Sequence, residues 1–270
     1  MGAIAESNNY PDCEADVSAD AEKTYLETDK VGVTFPAKGK VVQADDNAPS
    51  DSRLIWSKTG RLRGVRALRD ISFRLVEGDR IAIVGQNGSG KTTLLQVLAG
   101  IIAPEVGRIL SHGRITSLIN INLGIQPEAT GHRNITLRGL AAGYSKREIE
   151  ARRKEIAEFS ELDEFLNMPI DSYSAGMRMR LTFAIATAFE PEILILDEWL
   201  SAGDTAFKEK ATRRMQNFVE RAGILVLASH SPKLILDNCE TGIWLHEGEI
   251  RALGDVKDIL KEYDAQQKAR

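Results

Sequence analysis

From residue 31 onward the chain carries two kinds of hydrophobic pattern. Val31-Gly32-Val33-Thr34-Phe35 and the stretch from Ala67 through Leu68, Ile71 and Phe73 to Leu75 place apolar side chains close to every second position. That alternation predicts half-buried strands. Ile81-Ala82-Ile83-Val84, Ile193-Leu194-Ile195-Leu196 and Ile224-Leu225-Val226-Leu227-Ala228 are instead unbroken apolar runs, the first preceded by a Glu77-Gly78-Asp79 turn. Such runs predict strands buried on both faces, as in a parallel sheet. In the middle third the period becomes helical. Ser145-Lys146-Arg147-Glu148 is a capping box, and Ile149, Ile156 and Phe159 continue on one face. A further helix is predicted from Ala175 to Phe189, with Pro191 ending it. Ala37 to Ser52 reads as a polar loop, and Leu54, Ile55, Trp56 and Leu62 as a short amphipathic element. Strands thus alternate with helices at both ends, around an all-helical insert at about 125–190. The expected architecture is α/β, a parallel sheet with a helical subdomain.

Composition narrows this. With 270 residues, 43% apolar and 27% charged, the chain suits one domain with a subdomain and excludes a disordered or collagen-like polymer. Its longest apolar stretch, Leu181 to Phe189, stops at Arg180 and Glu190, well short of the ~20 residues a membrane-crossing helix needs. The N-terminus has neither the basic start nor the apolar run of a secretory signal. Gly2 fits a myristoylation pattern only loosely. Cys13 and Cys239 form no CxxC pair, which suits a reducing compartment. Residues 1–30 hold eight acids and two lysines, a charge of −6, so the other 240 residues carry +2 of the total of −4. The expectation is a solvated, disordered acidic tail over 1–30. A surplus of +2 is too small to neutralise many phosphates, so no nucleic-acid partner is expected.

The sharpest motif is Gly85-Gln86-Asn87-Gly88-Ser89-Gly90-Lys91-Thr92, between a predicted buried strand and a helix. It matches GxxxxGK[ST] in the context that gives the pattern meaning. Glycines let successive backbone N–H groups face one anion. A helix beginning near Gly90 points its positive end at the same place. Lys91 supplies a charge for phosphate, and the Thr92 hydroxyl can ligate Mg²⁺. A second strand ends in Leu196-Asp197-Glu198. Acids at the C-terminal edge of a parallel sheet lie where ligands bind. There Asp197 can hold a hydrated Mg²⁺, and Glu198 can polarise water. A third strand ends in Ser229-His230, which puts His230 at the same edge, within reach of a γ-phosphate.

Between these motifs stands Ser172-Tyr173-Ser174-Ala175-Gly176-Met177-Arg178. Ser174 is an N-cap candidate. The hydroxyl, the glycine at 176 and the helix start also make a second anion cradle. One nucleotide has one γ-phosphate, so two cradles suggest two chains enclosing each nucleotide.

In order and spacing these segments resemble the ATPase subunits of ABC transporters over residues 31–255, with 256–270 left as a C-terminal helix or tail. Gly85 to Thr92 is similar to the family's Walker A motif, Tyr173 to Met177 to its signature, and Ile193 to Glu198 to Walker B. Ser201-Ala202-Gly203-Asp204 resembles the D-loop, and His230 the switch histidine. The resemblance implies a P-loop NTPase fold, a RecA-like parallel core with an antiparallel β subdomain. It implies ATP contacts at Gly85, Gln86, Asn87, Gly88, Ser89, Gly90, Lys91, Thr92, Thr93, Ser174, Gly176 and Asp204. It implies Mg²⁺ at Thr92 and Asp197, and hydrolysis by Glu198 and His230. A finer likeness lies in the YSAGM signature, Met168-Pro169-Ile170, Thr130-Gly131-His132-Arg133-Asn134, and Phe207 after the D-loop. These phrases are similar to the ATPases of bacterial exporters for O-antigen, capsule and teichoic acid. That branch implies a homodimer beneath a separate permease, at the cytoplasmic face of the inner membrane, exporting a lipid-linked glycan. Asp51 to Arg63 resembles an element inserted in that branch. Some members add a C-terminal carbohydrate-recognition domain; with the sequence ending at Arg270, none is expected.

Departures from the family leave two roles open. The Q-loop glutamine position falls at Asn120 to Asn122, with Gln126 a few residues late; the adenine-stacking aromatic is Phe35 or Trp56. Position 177 is Met where the wider family often has Gln. Competing readings are an exporter of drugs or lipids, a soluble ABC-type protein acting on ribosomes or DNA, and a small-molecule kinase. The kinase reading leaves the signature segment unexplained.

Overall fold

A computed structural model of the chain describes residues 23–37, 52–119, 121–198 and 205–268. Its first half opens with β1 (Tyr25–Pro36), β2 (Leu54–Trp56) and β3 (Leu62–Val76), then β4 (Arg80–Val84), α1 (Lys91–Leu98), β5 (Val106–His112) and β6 (Ile115–Ser117). Helices α2 (Gly131–Ala141), α3 (Lys146–Ser160) and α4 (Ala175–Ala186) follow without an intervening strand, with two 3₁₀ turns between α3 and α4. The chain then alternates through β7 (Ile193–Asp197), α5 (Thr205–Glu220), β8 (Ile224–Ala228), α6 (Pro232–Asn238), β9 (Thr241–His246), β10 (Glu249–Asp255) and α7 (Val256–Lys268).

Strands β2, β3, β1 and β5 pair antiparallel in that order. The second sheet has the order β10-β9-β4-β8-β7-β6, parallel except for the edge strand β10. Side-chain alternation explains the unbroken apolar runs of β4, β7 and β8. Ile81, Ile83, Ile193, Ile195, Ile224 and Val226 point into one core, shared with the antiparallel sheet and α1. Ala82, Val84, Leu194, Leu196, Leu225 and Leu227 point into a second core, shared with the helices. Both faces of the strands are covered, so no polar position interrupts them. In the second core Phe159 of α3, Phe183 of α4 and Phe207 of α5 form an aromatic triangle with centroid separations of 5.6–6.3 Å. That is a favourable spacing for ring packing.

Three sequence expectations are corrected. Strand β1 begins at Tyr25, not Val31, so the last six residues of the supposed acidic tail are ordered. Leu26 and Thr28 are buried, and the Thr28 hydroxyl accepts the Phe73 N–H at 3.0 Å. Glu27 and Asp29 point outward to Arg74 and Arg108. The acids are thus the solvent face of a strand. Helix α4 stops at Ala186 rather than Phe189. Thr187 turns its hydroxyl onto the Phe183 carbonyl (2.8 Å) and accepts Arg214 Nε at 2.7 Å, a side-chain competition that ends helices early. The amphipathic element at 54–62 is a hairpin, in which Leu54 pairs with Val65 and Trp56 with Leu62.

The topology matters for chemistry in one respect. Strands β4, β8 and β7 are parallel neighbours, so the segments that follow Val84, Ala228 and Leu196 leave the sheet at a single edge. In open α/β sheets that edge is the ligand-binding one.

Candidate active site

Residues 85–90 form the loop between β4 and α1, and Gly90 is the N-cap of α1. Gly90 has φ +108°, and a Cβ there would lie 2.7 Å from the Ala67 carbonyl oxygen. Gly88 has φ +79°. Only glycine fits both demands at 90: left-handed backbone and contact with a neighbouring chain segment. The Lys91 side chain lies inside the loop and is only 9% exposed. Its ammonium donates to the carbonyls of Gly85 (2.6 Å) and Gln86 (3.1 Å). Burial pulls the Lys91 pKa below 10.5, and the carboxylates of Asp197 and Glu198 oppose that shift. The next side chain, Thr92, donates its hydroxyl to Asp197 Oδ2 at 3.0 Å, so the helix start and the end of β7 are in direct contact.

Glu198 completes the edge. Its backbone lies at φ +66°, where non-glycine residues carry a strain of roughly 1–3 kcal/mol. The fold holds it there. Glu198 N–H donates to the Ala228 carbonyl at 2.8 Å. Its carboxylate accepts the His230 backbone N–H at 3.1 Å and lies 3.4 Å from the Ser229 hydroxyl. The imidazole Nε2 of His230 is 3.9 Å from Glu198 Oε1. A cleft of about 540 Å³ runs over this edge, lined among others by Phe35, Lys91, Thr92, Thr93, Glu198 and His230. The Thr92 hydroxyl and Asp197 carboxylate are hard oxygen donors side by side, a set that suits Mg²⁺. Among the described residues no group of three or more His, Cys, Asp or Glu could hold a metal unaided, so such an ion would complete its shell with phosphate and water.

The second cradle lies elsewhere. Ser174 caps α4, its hydroxyl accepting the Met177 N–H at 3.2 Å. Gly176 is exposed, and the nearest atom to a Cβ there would be Ser174 Oγ at 3.9 Å. Neither residue lines the cleft.

The sequence pattern of the ABC transporter family matches residues 68–201. The chain is 36% identical over 197 residues to the O-antigen export system ATP-binding protein RfbB of Klebsiella pneumoniae, across 73% of this chain and 80% of that relative. The chain belongs to the ABC transporter family. It is also 39% identical over 211 residues to the teichoic acids export ATP-binding protein TagH of Listeria innocua, across 78% of this chain. It spans 63% of that relative's length. Both relatives are named as ATP-binding proteins of export systems, one for O-antigen and one for teichoic acids. Solved structures agree on the fold. An ATP-binding subunit of an ABC transporter superposes with a TM-score of 0.62 at 22% identity, over 89% of this chain and 94% of that one. A dimeric ATP-binding cassette in a post-hydrolysis state, bound to ADP and Pi, superposes at 0.60 with 21% identity, over 86% of this chain and 98% of that one.

As an ABC cassette, the chain brings Gln86 to Thr93, Asp197, Glu198 and His230 to one sheet edge. Asp204, with the rest of the D-loop motif, lies outside the described residues, as does Asn120. Asn122 and Gln126 are exposed and do not line the cleft. Of the two aromatic candidates, Phe35 lines the cleft and Trp56 does not. One charged cleft residue escaped the sequence reading. Arg53, just before β2, lines the cleft and donates from Nη1 to the Gly88 carbonyl. Its only signal was membership in the inserted element Asp51 to Arg63.

Proposed function

We propose that the chain is the ATP-hydrolysing subunit of a bacterial exporter. It acts as a homodimer beneath a separate membrane permease, on the cytoplasmic face, and couples ATP to export of a lipid-linked polysaccharide. The observation that carries this reading is the convergence of Lys91, Thr92, Asp197, Glu198 and His230 on one edge, with Ser174 and Gly176 on a separate exposed turn outside that cleft. The names of the relatives, teichoic-acid and O-antigen export proteins, support the substrate class. None of the described helices is long and apolar enough to cross a membrane, which fits a division of labour with a permease.

Each residue then has a task. The loop N–H groups and Lys91 bind and orient the β- and γ-phosphates. Thr92 and Asp197 would hold Mg²⁺, which neutralises phosphate charge when bound. Glu198 accepts a proton as water attacks the γ-phosphorus and the bond to the β-phosphate oxygen breaks, giving ADP and phosphate. His230, beside Glu198, contacts the γ-phosphate and registers its loss. Ser174 and Gly176 of the second copy close on the same phosphate. ATP thereby favours the closed dimer over the open one, and hydrolysis reverses the bias.

The test is the association state of Glu198→Gln with ATP and Mg²⁺. It should run as a dimer on a sizing column and return to monomer when nucleotide is removed. A variant that stays monomeric at saturating ATP overturns the dimer reading. Co-purification with a permease, and stimulation of hydrolysis by a lipid-linked glycan rather than by a drug or a phospholipid, test the substrate class.

A further inference from the structure

We propose that the buried amide of Asn134 is a positioning residue that ties the segment 126–130 to the signature turn, so that Ser174 and Gly176 are presented as part of one hydrogen-bonded unit. This rests on the proposed closure of Ser174 and Gly176 over a partner's nucleotide. Asn134 lies on α2 and is fully buried. Its Oδ1 accepts the Gln126 N–H at 2.8 Å. Its Nδ2 donates to the carbonyls of Gln126 (2.9 Å), Ala129 (3.1 Å) and Thr130 (3.1 Å). Both ends of the amide are engaged with backbone, so the side chain defines the path of residues 126–130.

That path is bonded in turn to the stretch before the signature. Gly131 N–H donates to the Met168 carbonyl (3.2 Å), Ile170 N–H to Ala129 (3.1 Å) and Asp171 N–H to Pro127 (2.9 Å). Thr130 and Pro169 form an antiparallel bridge. Tyr173, which directly precedes Ser174, donates its hydroxyl to the Phe165 carbonyl at 2.6 Å. The same hydroxyl would lie 2.6 Å from a Cβ at Gly131. Thr130 to Asn134, Met168 to Ile170 and Tyr173 to Met177, three phrases separated along the chain, are therefore one unit. Apolar packing of α2, α3 and α4 would hold these helices together without fixing the direction of the signature turn. Directional bonds on a buried polar hub fix it.

The experiment is Asn134→Ala, alone and combined with Glu198→Gln. Binding of a fluorescent ATP analogue should stay within about twofold of the parent, because the change is remote from the P-loop. The catalytic constant should fall roughly tenfold with little change in KM, a size reached by residues that couple sites. ATP-driven dimerisation in the Glu198→Gln background should weaken in step. If Glu198→Gln dimerises and the wild type hydrolyses ATP, and adding Asn134→Ala leaves both unchanged, this inference falls and the proposed function stands. If Glu198→Gln stays monomeric and the wild type does not hydrolyse ATP, the proposed function falls. If Asn134→Ala does not fold, hydrogen exchange on the wild type decides. The amides of Gln126, Gly131, Ile170 and Asp171 should then open as one cooperative unit, and exchange at unrelated rates overturns the hub.

Discussion

The P-loop and the turn at Ser174 are built in opposite ways. At the P-loop and the strand end beside it, nearly every feature is under constraint. A Cβ at Gly90 would lie 2.7 Å from the Ala67 carbonyl oxygen, Lys91 is buried between two carbonyls, and Glu198 sits at φ +66°. At the signature turn nothing is crowded. Ser174 makes an ordinary N-cap bond, and a Cβ at Gly176 would meet only Ser174 Oγ, at 3.9 Å. One site is enclosed by its own chain, whereas the other is an open surface. The contrast teaches what each glycine is for. The packing of this chain requires glycine at 90 and not at 176; under the proposed function the freedom at 176 serves the approach of a second copy.

The largest expected effect comes from removing the charge at the enclosed site. Lys91→Ala should lower turnover by roughly 10²–10³-fold, the size seen when one fixed donor to a transition-state anion is lost. Calorimetry should also show weakened ATP binding; unchanged binding would mean that the loop does not hold phosphate. Next comes Gly176→Ala, which separates the two turns. Because a methyl group there meets only Ser174 Oγ at 3.9 Å, its melting temperature should match the wild type. Hydrolysis should nonetheless fall about tenfold or more, since a displacement of about 1 Å between reacting groups is costly. Gly90→Ala should do the reverse and destabilise the free chain. If Gly176→Ala melts early, or hydrolyses ATP normally, the contrast between the two glycines is wrong.

What could be read from the sequence follows the same division. The P-loop, Asp197, Glu198 and His230 were legible because each sits at the end of a short apolar run, and the run fixes which edge of the sheet it joins. Features that depend on a distant partner were hidden. Leu26 and Thr28 make a strand of what composition marks as an acidic tail, because Glu27 and Asp29 find Arg74 and Arg108 outside. The early end of α4 needed Arg214, 27 residues after Thr187. The choice of Phe35 over Trp56 for the cleft depended on strand register, with Phe35 paired to Val65 and Trp56 to Leu62. The hub at Asn134 was visible only as a phrase, since its bonds run to backbone atoms that no residue pattern reports.

Arg53 tests how self-contained the enclosed site is. It comes from the inserted hairpin, not the P-loop, yet it holds the Gly88 carbonyl and lines the cleft. Arg53→Ala should weaken ATP binding by roughly fivefold, the net worth of one hydrogen bond at an exposed position, about 1 kcal/mol. Arg53→Lys should restore little, because a point charge does not reproduce the guanidinium fork. Full activity in Arg53→Ala would confine the site to the P-loop and strand ends.

The smallest effect concerns the buried ammonium itself. For Lys91, loss of hydration outweighs the attraction of Asp197 and Glu198, so its folded pKa lies below 10.5. A lysine shifted down is penalised in the folded state while it is charged. Between its folded pKa and 10.5 the unfolded chain binds more protons than the folded one, and the stability contributed by this group rises with pH through that window. Lys91→Met removes the titration and leaves other alkaline transitions in place. The melting temperature of the wild type, taken relative to Lys91→Met, should therefore climb as pH is raised from neutrality toward 10.5. A difference that stays flat or declines would mean that the two carboxylates compensate the buried charge fully. The P-loop would then be no more constrained, electrostatically, than the open turn at Ser174.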